Sequence, residues 1–346
     1  MEKKRIKYVS VLNAMACIAV VMLHTNGAFW TFSTKRYWIS SNFIECLMYF
    51  AVPVFFMISG TTLIDYREKY STKEYFKKRI NKTLIPFVAW SFIGAVYQYI
   101  AGRLHIDWTI DGMKVLFAGM LNTYVIGVYW FFIYLFSVYL CIPVLSAIPR
   151  EIRKNVFRYC AAVSFALQIL LPFVCDVTDF GYTNRVTFFV GTSYMFYVFM
   201  GWLIREHEFS VKERVIIYIL GIAGFLMHFF GTYFVSMKAG QIIQTYKGYN
   251  NVPAVLYSIA VFVFIKQLSQ RINEQGRLYG LICRFAGYTF AVYLIHWYVL
   301  DLLTKIFKLD ELSIVYRVGM PFIIIPICII IAFVLKKIPI VKRIVP

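Results

Sequence analysis

Residues 8–60 hold two successive apolar runs, YVSVLNAMACIAVVMLHTNGAFW and NFIECLMYFAVPVFFMISG, separated by a short polar gap. Each is long enough to cross a bilayer as a helix, which needs about 20 mostly apolar residues. In hydrocarbon a backbone must satisfy its own hydrogen bonds, and a helix does so within one segment. Each run also carries one ionisable group, His24 in the first and Glu45 in the second. Such a group is costly inside a membrane, so its presence there marks a candidate functional site.

The pattern repeats along the chain. Ten spans are expected, at 8–28, 43–64, 83–102, 124–146, 156–174, 187–204, 214–234, 252–268, 281–303 and 318–335. The run MKVLFAGML, 113–121, is too short to span and is expected to lie at the interface. Hydrophobic residues make up 60% of the chain, against about 45–50% in a soluble domain. The expected fold class is therefore an all-α membrane protein, one bundle of about ten helices over residues 1–346 with no appended soluble domain. The run after Lys7 lacks a small-residue cleavage site and reads as a first span, not a signal peptide. The seven Cys lie in or beside apolar runs without a CxxC pair. That fits buried small hydrophobes and argues against a zinc site or a disulfide framework.

A formal net charge of +19 would suggest nucleic acid on a soluble protein. Here the cations follow the loops. With the N-terminus inside, 26 of the 36 Lys and Arg fall in segments that are then cytoplasmic and 10 in segments that are not. That asymmetry over an even number of spans puts both termini in the cytoplasm. The bilayer then accounts for the charge, and no nucleic-acid partner is expected. The most basic loop, 65–82, reads DYREKYSTKEYFKKRINK. Ser71 or Thr72 can cap a short helix there, with Glu74 in its first turn. Its KKRINK run either anchors the inner face or forms a phosphate-binding patch, Arg supplying bidentate donors and Lys a point charge. Trp30, Trp38, Tyr129, Trp130 and Trp202 crowd the span ends and fit an interfacial aromatic belt.

Depth follows from helix rise. At about 1.5 Å per residue through a core about 30 Å thick, His24 lies roughly 25 Å above Lys7. Glu45, near the outer start of the second span, begins at a similar height. His296, counted from Leu281, arrives roughly 22 Å up, and Trp130 opens the fourth span. These four share an outer layer, while Asn13, Ser59, Arg79 and Lys82 share an inner one. Two layers suit chemistry that joins a cytoplasmic donor to a non-cytoplasmic acceptor. His24 can serve as general base, with Glu45 orienting it and stabilising the imidazolium. Alternatively, His24 and Glu45 make a polar contact between helices. His296, beside Trp297, also fits ordinary interfacial sequence. His105 and His207 fall in loops, and His228 lies in the seventh span without an evident partner.

Six segments, in order and over nearly the whole chain, resemble motifs of the acyltransferase-3 family, multi-spanning bacterial proteins that modify cell-surface glycans and related acceptors. MACIAVVMLHTNG resembles the first-span block that ends in the family's essential His, here His24. VPVFFMISG (52–60) resembles the second-span signature and YFKKRINKTLIPF (75–87) the basic stretch before span 3. VYWFFIYLFSVYLCIPVL (128–145), SYMFYVFMGWLI (193–204) and GYTFAVYLIHWYVL (287–300) complete the order. Two positions depart from the pattern. Many members have Arg eleven residues before the first-span His, where this chain has Asn13. Lys82 replaces the second Arg before span 3, while Arg79 is retained. Asn13 can hydrogen-bond an amide or phosphate oxygen but brings no charge.

The resemblance implies an O-acyltransferase of the bacterial cytoplasmic membrane. Its donor would be acetyl-CoA or another short acyl-CoA on the cytoplasmic side. Lys78, Arg79 and Lys82 would meet the phosphates, in the layer that also holds Asn13 and Ser59. The acceptor would be a cell-envelope glycan or glycolipid, met near His24, Glu45, Trp130 and His296. No resident cofactor and no metal is implied. Two other classes fit parts of the pattern. Polar groups at one depth also suit a transporter. No inverted repeat is visible, although Pro53, Pro143, Pro172 and Pro253 can break spans. A non-catalytic envelope-assembly component on the same fold is compatible with Asn13. Substrate flux without CoA would mark the transporter, and tolerance of His24→Ala with loss of partner assembly would mark the scaffold.

Overall fold

The computed structural model describes residues 6–181, 186–192, 194–339 and 341–345. Lys3, Lys4, Arg5, Arg185 and Ser193, which entered the loop counts and motifs above, lie outside the described residues. Within them every regular element is helical. The α-helices are α1 (Lys7–Thr25), α2 (Arg36–Met48), α3 (Ala51–Leu63), α4 (Thr72–Arg79), α5 (Ile85–Ile100), α6 (Ile110–Leu121), α7 (Trp130–Ser146) and α8 (Arg150–Ser164). There follow α9 (Leu171–Thr178), α10 (Met195–Glu206), α11 (Val211–Ala239), α12 (Val252–Ser269), α13 (Arg277–Ala286), α14 (Thr289–Phe307) and α15 (Ile314–Lys337).

Among the described residues nine segments, not ten, are long and apolar enough to cross a membrane. Three of them merge elements: Arg36–Glu68 contains α2 and α3, Thr72–Ile100 contains α4 and α5, and Arg150–Thr178 contains α8 and α9. Among its described residues the expected span 187–204 yields a 3-10 turn at Phe189–Gly191 and α10, whose 12 residues reach about 18 Å, short of the hydrocarbon core. The expected span 281–303 divides at Gly287–Tyr288, so α14 alone is long enough. The short run 113–121 forms α6, and Ser71 caps α4 by accepting from the Glu74 amide at 3.3 Å.

Prolines explain the irregular geometry. A proline lacks the N–H that would bond the carbonyl four residues earlier. Pro53 falls in the first turn of α3, where that donor is not needed, and α2 ends just before it. Pro86 and Pro172 each follow a π-helical turn, Ile80–Leu84 and Phe165–Leu170, that shifts the bonding by one residue. Pro143 lies inside α7 and frees the Tyr139 carbonyl, which accepts from Tyr75 Oη at 3.1 Å. Pro321 lies inside α15 and frees the Arg317 carbonyl, which accepts from Thr25 Oγ1 at 2.8 Å. These two freed acceptors become cross-links between segments, which satisfies them in an apolar medium.

Glycine sets the closest approach. A Cβ at Gly60 would fall 2.0 Å from the Val198 carbonyl oxygen, and one at Gly201 would fall 1.9 Å from that of Met57. α3 and α10 therefore touch backbone to backbone, as small residues permit in membrane bundles. Thr61 Oγ1 adds a bond to the Gly201 carbonyl at 2.9 Å. Overpacking of this kind costs about 1–3 kcal/mol or more. Gly60→Ala is thus expected to lower the detergent-solubilised thermal midpoint by several degrees, while Gly27→Ala, which meets nothing within 4 Å, leaves it unchanged.

Below this contact Asp65 receives Arg153 Nη1 at 2.5 Å, Arg205 Nη2, and the Trp202 indole at 3.3 Å. The cluster ties the end of α3 to α8 and α10. Trp202, Trp38 and Tyr129 are at most 2% exposed, which corrects their expected place in an interfacial belt. Each polar tip is satisfied inside: Trp38 Nε1 donates to Phe29 O at 2.9 Å and Tyr129 Oη to Leu294 O at 2.7 Å. Five of the seven free cysteines are buried as expected, but Cys141 is exposed and Cys283 half-buried.

Candidate active site

Asn13 and His24 are eleven residues apart on α1, about three turns, so they share a face at roughly 16 Å separation. His24 lines a cavity of about 310 Å³ together with Trp30, Glu45, Tyr49, Trp130, Lys247, Tyr249 and Tyr293. Asn13 lines another, of about 430 Å³, together with Ser59, Arg79, Lys82, Thr83 and Tyr139. Phe55, Phe131 and Tyr293 belong to both linings, so the cavities adjoin across an aromatic partition. His24, Glu45 and Trp130 of the expected outer layer thus line one chamber, and Asn13, Ser59, Arg79 and Lys82 of the inner layer line its neighbour.

The Asn13 chamber carries two cations and, among the described residues, no carboxylate in its lining. Arg79, Lys82 and Thr83 stand at i, i+3 and i+4, on one helix face, where the π-turn before Pro86 begins. The Arg79 guanidinium lies 5.3 Å from the Tyr139 ring. Its Nε is buried without an acceptor among the described residues. A buried donor lacking an acceptor, in a cationic chamber, suits an anion. Ser59 lines the chamber while its hydroxyl donates to Phe55 O at 3.0 Å. Lys78 does not join this set, contrary to expectation. One residue before Arg79, it points about 100° away around the helix. Its ammonium pairs with Glu74 at 3.4 Å and rests 3.7 Å over the Tyr70 ring.

The His24 chamber is electrically balanced. Glu45 Oε1 accepts from Lys247 Nζ at 2.7 Å and Oε2 from Asn26 Nδ2 at 3.4 Å. The ammonium also lies 3.9 Å over Tyr49 and near the rings of Phe29 and Trp30, a cation–π setting. Glu45 therefore does not orient His24, which corrects the expected pairing. α2 is stitched to the turn after α1: Trp38 bonds Phe29 O, and Asn26 Nδ2 bonds Ser41 O at 2.8 Å. Glu45, one turn beyond Ser41, consequently meets Asn26 and the 240–251 loop. Trp130 and Tyr49 both lie against Tyr249, with ring centroids 5.7 and 4.2 Å away.

The partner of His24 is His296, whose Nε2 lies 2.6 Å from His24 Nδ1. His296 is fully buried behind His24 and is absent from the chamber lining, so it is not a substrate-side residue as expected. His228 packs its ring against Tyr49 at 4.9 Å, and His207 bonds Glu213 at 2.9 Å. Two residues that sequence reasoning missed, Lys247 and Arg317, had both been counted as loop cations. Arg317 is 1% exposed. It donates to Ser41 Oγ at 2.7 Å and Ser40 Oγ at 2.9 Å, bracing α2. Their signal was a lone cation among aromatic and apolar residues at a span end, TYKGY and VYRVG.

The ion pair has a measurable consequence. Lys247 and Glu45 side chains are 1% and 5% exposed. Removing one partner of a buried pair costs about 3–5 kcal/mol, whereas replacing both with apolar groups is often neutral. Glu45→Leu is expected to destabilise the purified protein strongly, and Glu45→Leu with Lys247→Met to recover most of the loss in thermal unfolding.

Fold and chambers together define a multi-pass helical membrane protein in which a half-buried histidine faces one chamber and a cationic chamber adjoins it. The model of the acyltransferase-3 family, described as an acyltransferase domain, matches residues 6–335. The chain belongs to that family, and membership marks it as a membrane acyltransferase. No curated protein and no solved structure matches it.

Proposed function

We propose that the protein moves an acetyl or other short acyl group from cytoplasmic acyl-CoA to a hydroxyl of a cell-envelope saccharide or glycolipid. Its setting is the bacterial cytoplasmic membrane, with both termini inside. The observation that carries this reading is the adjoining pair of chambers, one lined by Arg79 and Lys82 and the other by His24. CoA phosphates suit the first, with Asn13 and Ser59 beside the arm. The thioester then approaches the second past Phe55, Phe131 and Tyr293. His24 Nε2 takes the acceptor hydroxyl proton as that oxygen bonds the acyl carbon. The tetrahedral intermediate collapses, the C–S bond breaks, and the thiolate leaves with the proton returned from His24. Acyl-CoA is a substrate here, and the step uses no resident cofactor. Trp30 and Trp130 offer aromatic surface to a sugar.

The test is acyl transfer in proteoliposomes supplied with radiolabelled acetyl-CoA and an extract of envelope glycans. Label is expected on glycan, with free CoA released in equal amount. Glycan or nucleotide crossing the membrane without CoA consumption would instead establish a transporter. Failure to bind acyl-CoA would remove the acyltransferase reading.

A further inference from the structure

The two paired imidazoles, His296 buried and His24 half-buried, determine each other's protonation pattern. His296 Nδ1 lies 2.8 Å from the Tyr293 carbonyl oxygen and 3.1 Å from that of Val292. Carbonyl oxygens only accept, so Nδ1 carries the proton. In a neutral ring Nε2 is then a bare lone pair. That lone pair lies 2.6 Å from His24 Nδ1, which must therefore be the donor. The ring planes are within 10° and the centroids 4.8 Å apart. That separation exceeds the nitrogen–nitrogen distance by about two ring radii, so the rings meet edge to edge in one plane. The N–H then points along the lone pair. The remaining nitrogen of His24, Nε2, is left unprotonated.

We infer that His296 is a positioning residue: through its own bonds to the Val292 and Tyr293 carbonyls it holds His24 as the Nδ1–H tautomer and leaves His24 Nε2 as the base. This deepens the proposed function and rests on it for its catalytic meaning. In a hydrolase triad a carboxylate fixes the tautomer of the general base. Here Glu45 is committed to Lys247 and Asn26, and a second imidazole takes that role. When His24 gains the acceptor's proton, its Nδ1–H bond to His296 becomes charge-assisted and shorter. The helix supplies the anchor: Val292 and Tyr293 stand four and three residues before His296 on α14, so the anchor forms within one turn.

The experiment uses full-length protein labelled with nitrogen-15 at histidine, with His24 assigned by its loss in His24→Ala. The His24 pair is expected to report a protonated Nδ1 and an unprotonated Nε2 at a pH where both rings are neutral. A protonated Nε2 in the wild type would overturn the inference, whatever any variant does. For activity, His296→Met removes the acceptor and His296→Gln supplies a carbonyl near the same place. His296→Met is expected to lower kcat by about 10²–10³-fold with KM for acetyl-CoA unchanged, and His296→Gln to restore at least tenfold. Equal activity in the two variants, or a loss confined to KM, would overturn it. The nitrogen spectrum needs no substrate, so a wild type that transfers no acyl group would sink the proposed reaction and leave the tautomer result standing.

Discussion

His24→Ala is expected to abolish acyl transfer while leaving donor binding intact. General-base assistance contributes about 10²–10⁴-fold, and among the described residues the chamber lining offers no substitute. Glu45, the other proton acceptor in the lining, is already bonded to Lys247 and Asn26. Tyr49, Tyr249 and Tyr293 present phenols, which are poor bases near neutral pH. His296 is buried behind His24, and its Nε2 would face a cavity only where the imidazole had been. Single-turnover transfer from labelled acetyl-CoA measures the chemistry, and equilibrium binding of the same donor measures the neighbouring chamber. The expected pattern is loss of the first with little change in the second. Retained transfer within tenfold of wild type would remove His24 from the role of base.

Arg79→Ala combined with Lys82→Ala is expected to produce the opposite pattern. Each charged hydrogen bond to a phosphate is worth about 1.5–3 kcal/mol. Losing two raises KM for acyl-CoA by roughly 10²-fold or more, with kcat at saturation much less affected. The Arg79 Nε is buried without an acceptor among the described residues, so losing that N–H breaks no hydrogen bond among them. The packing of the guanidinium over Tyr139 is lost with it. Lys78→Ala serves as the control, because Lys78 pairs with Glu74 outside this chamber. A double variant with unchanged donor KM would dispose of the phosphate site.

Much of this site can be read along single helices. Helix rise places His24, Glu45 and Trp130 near one depth and Asn13, Ser59, Arg79 and Lys82 near another, and those residues line the two chambers. The basic stretch, its Ser71 cap and the short run 113–121 follow equally from local pattern. The spacing between Asn13 and His24 is three turns whatever surrounds it. Span count differs, nine among the described residues against ten expected. α10 is too short, and Gly287–Tyr288 interrupts the expected span 281–303, because length on a hydropathy pattern does not register a helix break.

Sequence by itself determined most of the helical spans and the height of each polar group along its own helix, because 1.5 Å of rise per residue is a local property of the backbone. Only the tertiary structure decided which groups meet. Rotation of one helix about its axis relative to another depends on side-chain packing and on close contacts such as those of Gly60 with Val198 and of Gly201 with Met57. That packing turned Glu45 toward Lys247 and set His296 behind His24. Arg317 and Lys247, two cations that composition assigns to loops, came inside because Ser40, Ser41 and Glu45 on α2 could bond them there. A buried charge is stable only with such partners, and partners from distant segments are brought together by folding alone.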